Sequence, residues 1–130
     1  MFALDANAII HAFQGKGRVA QRLLAVPPSR IAFPAVALFE VERGVLSGNN
    51  ASLRRKQLAE LVSVCRVLPF DDRAALLAAR LQLELERKGK MIGPLDTLIA
   101  ATALAHGAVL VTHNTREFSR LAGLQVDDWY

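Results

Sequence analysis

MFALDANAII, residues Met1–Ile10, places a carboxylate directly after a short apolar run. The residues MFAL are typical of a short buried strand, and Asp5 stands where that strand would end. An aspartate among residues that favour burial is costly unless a partner compensates its charge. Two partners fit: the free amide groups of a helix that begins near Ala8, or a cation shared with other acids.

The rest of the chain alternates apolar strands with helices. Strands are predicted at RIAFPA, RVLPF and AVLVTHN, and the clearest helices at AVALFEVERGVL, LRRKQLAELVSV, DDRAALLAARLQLELERKGK and LDTLIAATALAHG. This alternation predicts an α/β fold, a three-layer α/β/α sandwich with a mostly parallel central sheet. With 130 residues, 52% of them apolar, one domain spanning residues 1–130 is expected.

Cysteine usage and hydropathy limit the cellular setting. The one cysteine, Cys65, lies among aliphatic residues, so the chain has no disulfide framework and no thiol zinc site. That favours a reducing, cytoplasmic location. No run of about 18 apolar residues and no basic segment leading into such a run occurs, so neither membrane spanning nor secretion is expected.

The charge balance favours a polyanionic partner. Sixteen Lys and Arg against twelve Asp and Glu give a net charge of +4. The basic residues cluster at Arg54–Lys56 and Arg87–Lys90, with Lys16, Arg18 and Arg22 along an early segment. Such clusters bind nucleic acid through counterion release, whatever its sequence. For any single cluster, a solvated helix face is the alternative.

Three or four oxygen-bearing side chains are predicted to meet at one edge of the sheet. Asp5 and Asn114 follow two different strands, Asp96 lies in the first turn of a helix, and Glu40 lies in a helix whose neighbouring turns are small or apolar. In parallel sheets, ligands bind beyond the carboxyl ends of the strands, where the strand order reverses. Carboxylates crowded there would repel one another unless a divalent cation neutralised them.

Each of these residues also has a purely structural interpretation. Asp5 and Asn7 could cap the following helix, and Asp96 at a third helical position could satisfy free amide groups. Glu40 could be a surface residue, and Asn114 an Asx turn or a cap for the TREF helix. Because all of these residues are expected at the same edge of the sheet, the metal-site hypothesis is favoured.

Other site motifs are missing from the sequence. His11, His106 and His113 do not stand at zinc-ligand spacing, and there is no GxxxxGK[ST], GxGxxG or GxSxG segment. His113 falls beside the predicted cleft, where it is either a phosphate contact or a bystander at a strand end.

Four segments together resemble a known family. LDAN at Leu4–Asn7, EVERG at Glu40–Gly44, PLDTLIAATAL at Pro94–Leu104 and LVTHNTREFSRLAGLQVDDW at Leu110–Trp129 resemble, in this order, the PIN-domain ribonucleases. Within that superfamily they resemble the VapC-type toxins of bacterial toxin–antitoxin modules. The resemblance runs over essentially the whole chain.

The resemblance implies a role for each acid. Asp5, Glu40 and Asp96 match three family acids that hold the metal. The fourth family position, often an aspartate, falls on Asn114, with Glu117 nearby as the other candidate for that role. Ala6 stands where the family usually has a threonine.

The implied activity is a metal-dependent endoribonuclease. Carboxylate and amide oxygens suit Mg²⁺ or Mn²⁺, and a metal-activated water would attack the phosphodiester. Asp5 and Asp96 would hold the ion, Glu40 would help to hold it and orient or deprotonate the water, and Asn114 or Glu117 would complete the shell. The resemblance implies RNA as substrate, with unpaired RNA favoured because its backbone bends into a cleft.

The same resemblance implies a small cognate antitoxin that covers the cleft, and a homodimer. Leu53, Leu58 and Leu61 form either a seam for such contacts or an ordinary core-facing stripe. The competing hypothesis is a non-catalytic α/β module that binds nucleic acid or a partner protein. It explains the basic charge but not three inward acids.

Overall fold

The computed structural model describes residues 1–130 and contains five strands and seven α-helices. The elements are β1 Phe2–Leu4, α1 Ala6–Gln14, α2 Val19–Ala25, β2 Ile31–Pro34, α3 Ala35–Ser47, α4 Ala51–Val64, β3 Arg66–Leu68, α5 Asp72–Lys88, α6 Pro94–Ala105, β4 Val109–Val111, α7 Thr115–Phe118 and β5 Val126–Asp127. One 3₁₀ turn at Pro28–Arg30 precedes β2. The predicted alternation of strands and helices is confirmed.

All five strands are parallel and lie in the order β3-β2-β1-β4-β5. Successive side chains of a strand point to opposite faces, and every residue of β2 is buried, so helices must cover both faces of the sheet. The three-layer α/β/α prediction is therefore confirmed. The chain builds β2 and β3 on one side of β1 and then returns to place β4 on the other side, so the strand order reverses between β1 and β4.

Local signals in the sequence define several helix ends. The Asp71 carboxylate accepts a hydrogen bond from the Ala74 N–H at 3.0 Å and caps α5. The same helix ends at Gly89, whose φ of 64° is a left-handed conformation that glycine adopts without strain. Pro94 is the first residue of α6, a position where its missing N–H costs nothing.

Three boundaries and one strand differ from prediction. The helix after β1 begins at Ala6 rather than Ala8, and Pro34 ends β2 and precedes α3 instead of lying in its first turn. The segment SGNNAS, whose polar composition predicts a loop, forms one only at residues 48–50, between α3 and α4. Strand β5 was not predicted, because two residues are too short to show a periodic pattern.

The core is built from both layers of helices against the sheet. Its largest fully buried side chains include Phe33, Phe118, Leu4, Ile9 and Leu110. No helix of the structure combines the length and the apolar character that crossing a membrane requires.

The leucines of α4 divide between core and surface. Leu58 is fully buried and Leu61 packs against the core, whereas Leu53 is 54% exposed. Cys65 is half-buried, and burial raises the pKa of its thiol, in keeping with a small packing residue.

Candidate active site

Asp5 lies at the point where the strand order reverses. Its backbone N–H donates to the Val111 carbonyl at 3.1 Å, which joins the end of β1 to the end of β4. Its Oδ1 atom accepts the N–H of Ala8 at 2.8 Å, so Asp5 is the N-cap of α1. The structural interpretation of Asp5 is thus confirmed, yet the residue is only 5% exposed, which is unusual for a simple cap.

The Asp5 carboxylate is not fully compensated by its neighbours. Burial raises its pKa, although hydrogen bonds from the Thr112 hydroxyl and the Ala8 N–H act in the opposite direction. The Asp128 carboxylate nearby raises the pKa further, and His113 lowers it. Asp5 is therefore a buried acid whose charge calls for an additional positive partner.

Asp96 occupies the third position of α6, as its structural interpretation predicted, and it also faces the other acids. Burial raises its pKa, and the carboxylates of Asp5 and Glu117 raise it further. A Cβ at Gly93 would approach the Oδ2 atom of Asp96 to 3.2 Å, so the lack of a side chain at Gly93 leaves room for this carboxylate.

Glu40 completes a cluster of three acids from distant parts of the chain. It is half-buried in the middle of α3, and burial, then Asp96, then Asp5 raise the pKa of its carboxyl. No hydrogen bond acts on its pKa in the opposite direction. The fold thus brings Asp5, Glu40 and Asp96 within electrostatic reach of one another, at the edge of the sheet that the sequence indicated.

These acids fit a hard divalent cation by their chemistry. All their donor atoms are oxygens, the ligands that Mg²⁺ and Mn²⁺ prefer. As the side chains stand, no group of three or more His, Cys, Asp or Glu side chains is close enough to hold a metal ion. Ionised carboxylates in one cleft repel one another, and a divalent cation bound between them would offset that repulsion.

Asn114 and Glu117 lie together at the same edge. The Nδ2 atom of Asn114 donates to Oε2 of Glu117 at 2.9 Å, and the Asn114 N–H donates to the Thr112 hydroxyl at 3.0 Å. The Asn114 side chain makes no capping bond to α7, contrary to the cap interpretation. Of this pair, Glu117 raises the pKa of Asp96, and Asn114 holds the Glu117 carboxylate in place.

Sequence reasoning missed two residues that contact the site. Thr112 is fully buried, and its hydroxyl supports both Asp5 and Asn114. The sequence signal that could have indicated Thr112 is a single threonine at the end of an apolar strand. Asp128 is bonded to His113 Nδ1 at 3.0 Å, and no sequence pattern predicts this contact because it depends on β5 folding beside β4.

The parallel sheet and its acidic edge define a class of nuclease-like α/β folds, and comparison with known proteins gives the family. Residues 2–124 match the PIN domain. The chain is 31% identical over 128 residues to the tRNA(fMet)-specific endonuclease VapC of Salmonella typhimurium, covering 98% of this chain and 97% of that protein. It is 36% identical over 101 residues to ribonuclease VapC5 of Mycobacterium tuberculosis, covering 76% and 74%. The chain belongs to the PIN-domain family.

Solved structures give the same result. VapBC2 from Rickettsia felis, bound to a DNA fragment from its promoter, superposes with a TM-score of 0.90 at 28% identity, covering 99% of this chain and 98% of that chain. DNA-bound VapBC from Salmonella typhimurium superposes with a TM-score of 0.89 at 31% identity, covering the same shares. The similarity therefore extends over the whole fold and includes the elements that carry the acids.

Proposed function

We propose that this chain is a divalent-metal-dependent endoribonuclease and the toxin of a toxin–antitoxin pair, with residues 1–130 acting as one nuclease domain. The observation that carries the proposal is the cluster of three carboxylates at the reversal of strand order, in which Asp5 raises the pKa of both Glu40 and Asp96, and Asp96 raises that of Glu40. Relatives that align over nearly the whole chain are named VapC endonucleases or ribonucleases, which supports RNA as the substrate.

The metal ligands we propose are Asp5, Glu40 and Asp96. Mg²⁺ or Mn²⁺ held there supplies Lewis acidity and charge neutralisation for phosphodiester hydrolysis. Glu117 takes the fourth acidic position, because its carboxylate acts on Asp96, and Asn114 positions it through the 2.9 Å hydrogen bond.

Glu40 is the proposed general base. Its pKa is raised by burial and by two neighbouring acids, which moves it towards the pH at which the enzyme would work. Asp5 is less suited to this role, because Ala8 already holds one of its oxygens. Glu40 would orient the attacking water and accept its proton, while the basic surface draws in a single-stranded or loop region of RNA.

The proposed protein partners are a small cognate antitoxin and a second copy of this chain. Support comes from the superposed structures, which are described as VapBC complexes. Sedimentation of the purified chain, alone and with its antitoxin, tests both: a homodimer alone and a larger complex with antitoxin are expected.

The central experiment removes one acid without changing its shape. Asp96→Asn is expected to lower Mg²⁺-dependent RNA cleavage at least about 100-fold while the circular dichroism spectrum stays native. Asp72→Asn is the matched control, because Asp72 is an exposed acid in the first turn of another helix, α5. Undiminished cleavage by Asp96→Asn would refute the assignment.

Calorimetry separates the enzyme from a non-catalytic binding module. Titration of Mn²⁺ into the wild-type chain should give a binding isotherm that is lost in Asp96→Asn. A binding module predicts RNA binding without any such metal isotherm.

A further inference from the structure

Three aromatic rings lie against one another beside the acidic site, and we call them the ring cluster: His11, His113 and Tyr130. His113 and Tyr130 are stacked, with ring centroids 4.1 Å apart and an interplanar angle of 22°. His11 meets Tyr130 edge-on at 5.0 Å and His113 at 6.2 Å. The role proposed above for the acids does not use any of these rings.

Two members of the ring cluster lie on segments that carry or support Asp5. His113 directly follows Thr112, whose hydroxyl supports the Asp5 carboxylate, and His11 lies in the helix that Asp5 caps. His113 lowers the pKa of the Asp5 carboxyl, so the two side chains lie within electrostatic reach of each other. A nucleotide whose phosphate reaches the acids would therefore carry its own base, or that of its neighbour, to the ring cluster.

The fold holds these rings in fixed positions. Asp128 accepts from His113 Nδ1 at 3.0 Å and from the Tyr130 N–H at 2.9 Å, which ties the two stacked residues to one carboxylate. The Tyr130 carbonyl accepts the Arg18 N–H at 3.1 Å. A Cβ at Gly17 would come within 2.8 Å of the Tyr130 ring, so the ring packs directly on the glycine backbone. Fixed rings lose little entropy when a ligand binds.

The rings remain accessible in spite of these contacts. The side chain of His113 is 52% exposed, and Tyr130 is 43% exposed. In contrast, the Nδ1 atom of His11 is buried without a hydrogen-bond partner, a cost that packing does not explain. Lys16 adds a positive charge next to His11, where it suits a phosphate chain.

We propose that the ring cluster is a nucleobase-stacking platform for the nucleotide that adjoins the scissile phosphate. The inference rests on the proposed RNA substrate. Unpaired bases stack on tyrosine and histidine rings, and a rigid, half-exposed pair of rings next to a basic side chain has the chemistry of such a platform. Because every base has a π-face, the platform sets affinity and register more than sequence preference.

Fluorescence of a stacked base tests the platform without cleavage. A single-stranded RNA oligonucleotide that contains 2-aminopurine is titrated with protein in the presence of a chelator, and stacking is read as quenching. Tyr130→Leu should lose most of the quenching and weaken binding about 10-fold or more, the typical effect of losing one stacked base. Tyr130→Phe should restore the quenching, because the ring is retained.

The matched control is Phe39→Leu, which replaces an aromatic residue of α3 that is 56% exposed and lies outside the ring cluster. It should bind and quench as the wild type does. In cleavage assays, Tyr130→Leu should raise KM about 10-fold with little change in kcat, since stacking is the same before and during the reaction.

Crosslinking of the wild-type chain makes the test independent of variant folding. RNA that carries 4-thiouridine should crosslink to peptides containing His113 or Tyr130, and crosslinks found only elsewhere would overturn the proposal. If Tyr130→Leu still quenches 2-aminopurine fully but no longer binds the antitoxin, the rings contact the protein partner instead of RNA. That result would also overturn the proposal. Failure of the proposed function appears separately, as lack of metal-dependent cleavage by the wild type.

Discussion

The Asp5 carboxylate is both a helix cap and a proposed metal ligand, two roles that are usually found on different residues. One oxygen accepts the Ala8 N–H and starts α1, while burial and a neighbouring acid raise the pKa of the group. The Thr112 hydroxyl holds the carboxylate from the side of β4. The cap fixes the orientation of Asp5, and the raised pKa shows that the cap alone does not offset the cost of its burial.

Substitution of Asp5 separates these purposes. Asparagine keeps an oxygen that caps a helix about as well as aspartate does, so Asp5→Asn should retain stability and lose RNA cleavage. Asp5→Ala should lose both stability and RNA cleavage, and its free energy of unfolding should be lower than that of the wild type by about 1 kcal/mol or more. Urea unfolding followed by circular dichroism gives the comparison. Equal destabilisation in the two variants would show that the cap does not contribute.

The pH dependence of stability follows from the raised pKa of Glu40. Its ordinary value is 4.5, and in the folded chain the carboxyl holds its proton to a higher pH. The folded state therefore binds more protons than the unfolded state above pH 4.5, and stability is lost as the pH rises through the folded-state pKa.

Glu40→Gln removes this dependence. In chelator, the free energy of unfolding of Glu40→Gln minus that of the wild type should increase as the pH is raised from about 4 to 8. Added Mg²⁺ should reverse the trend by stabilising only the wild type, because it binds the ionised carboxylate. Glu42→Gln, on the same helix but outside the acid cluster, is the control. If the difference between the two free energies of unfolding fell as the pH rose, the predicted direction would be wrong.

At the level of elements, short strands position the site. β1 and β4 have three residues each, and their register pairs Leu4 with Val111, which places Asp5 and Thr112 at adjacent strand ends. Asp5 stands at the start of α1 and Asp96 in the first turn of α6. The positive ends of these two helix dipoles face the cleft and partly stabilise its acids.

A helix cap away from the cleft should affect stability alone. Asp71→Ala removes the hydrogen bond to the Ala74 N–H and should lower the free energy of unfolding by about 1 kcal/mol. Cleavage per folded molecule should not change, since Asp71 caps α5 and contacts none of the acids. Arg73→Ala, an exposed change in the same turn, should stay within about 0.5 kcal/mol of the wild type. Thermal and urea unfolding give both values.

At the scale of the whole molecule, the net charge is positive although a group of acids lies in one cleft. Sixteen basic residues outnumber the twelve acids, and four of those acids lie in the cleft. Not every basic residue is free to bind RNA: Arg54 donates to the Phe13 carbonyl at 2.9 Å and ties α4 to α1. Lys16, beside the ring cluster, is exposed and close to the site.

RNA affinity should therefore decrease with salt. For single strands, the slope of log K against log salt concentration is about −0.7 for each phosphate neutralised. Lys16→Ala should reduce the slope by about 0.7, and Arg87→Ala, in the last turn of α5, should leave it unchanged. Fluorescence anisotropy of a labelled RNA between low and moderate salt measures both. Equal slopes for wild type and Lys16→Ala would show that Lys16 makes no phosphate contact.

Much of this architecture was predictable because its signals are local. Apolar runs, Gly89 and Pro94 defined strands and helix ends with few errors. β5 was missed, as was the contact of Asp128 with His113, because both require the last segment to fold beside β4. For the fourth acidic position, the sequence offered both Asn114 and Glu117, and their mutual hydrogen bond appears only in the folded chain.

The sequence by itself determined the layered α/β fold and the acids that line its edge, because hydrophobic periodicity and turn residues act over a few neighbouring positions. Only the tertiary structure decided that Asp5 and Asp96 raise the pKa of Glu40, that Asp5 raises the pKa of Asp96, and that three rings lie against one another beside the site. Electrostatic repulsion and ring stacking depend on distances through space, and those distances are set when the sheet brings remote segments together.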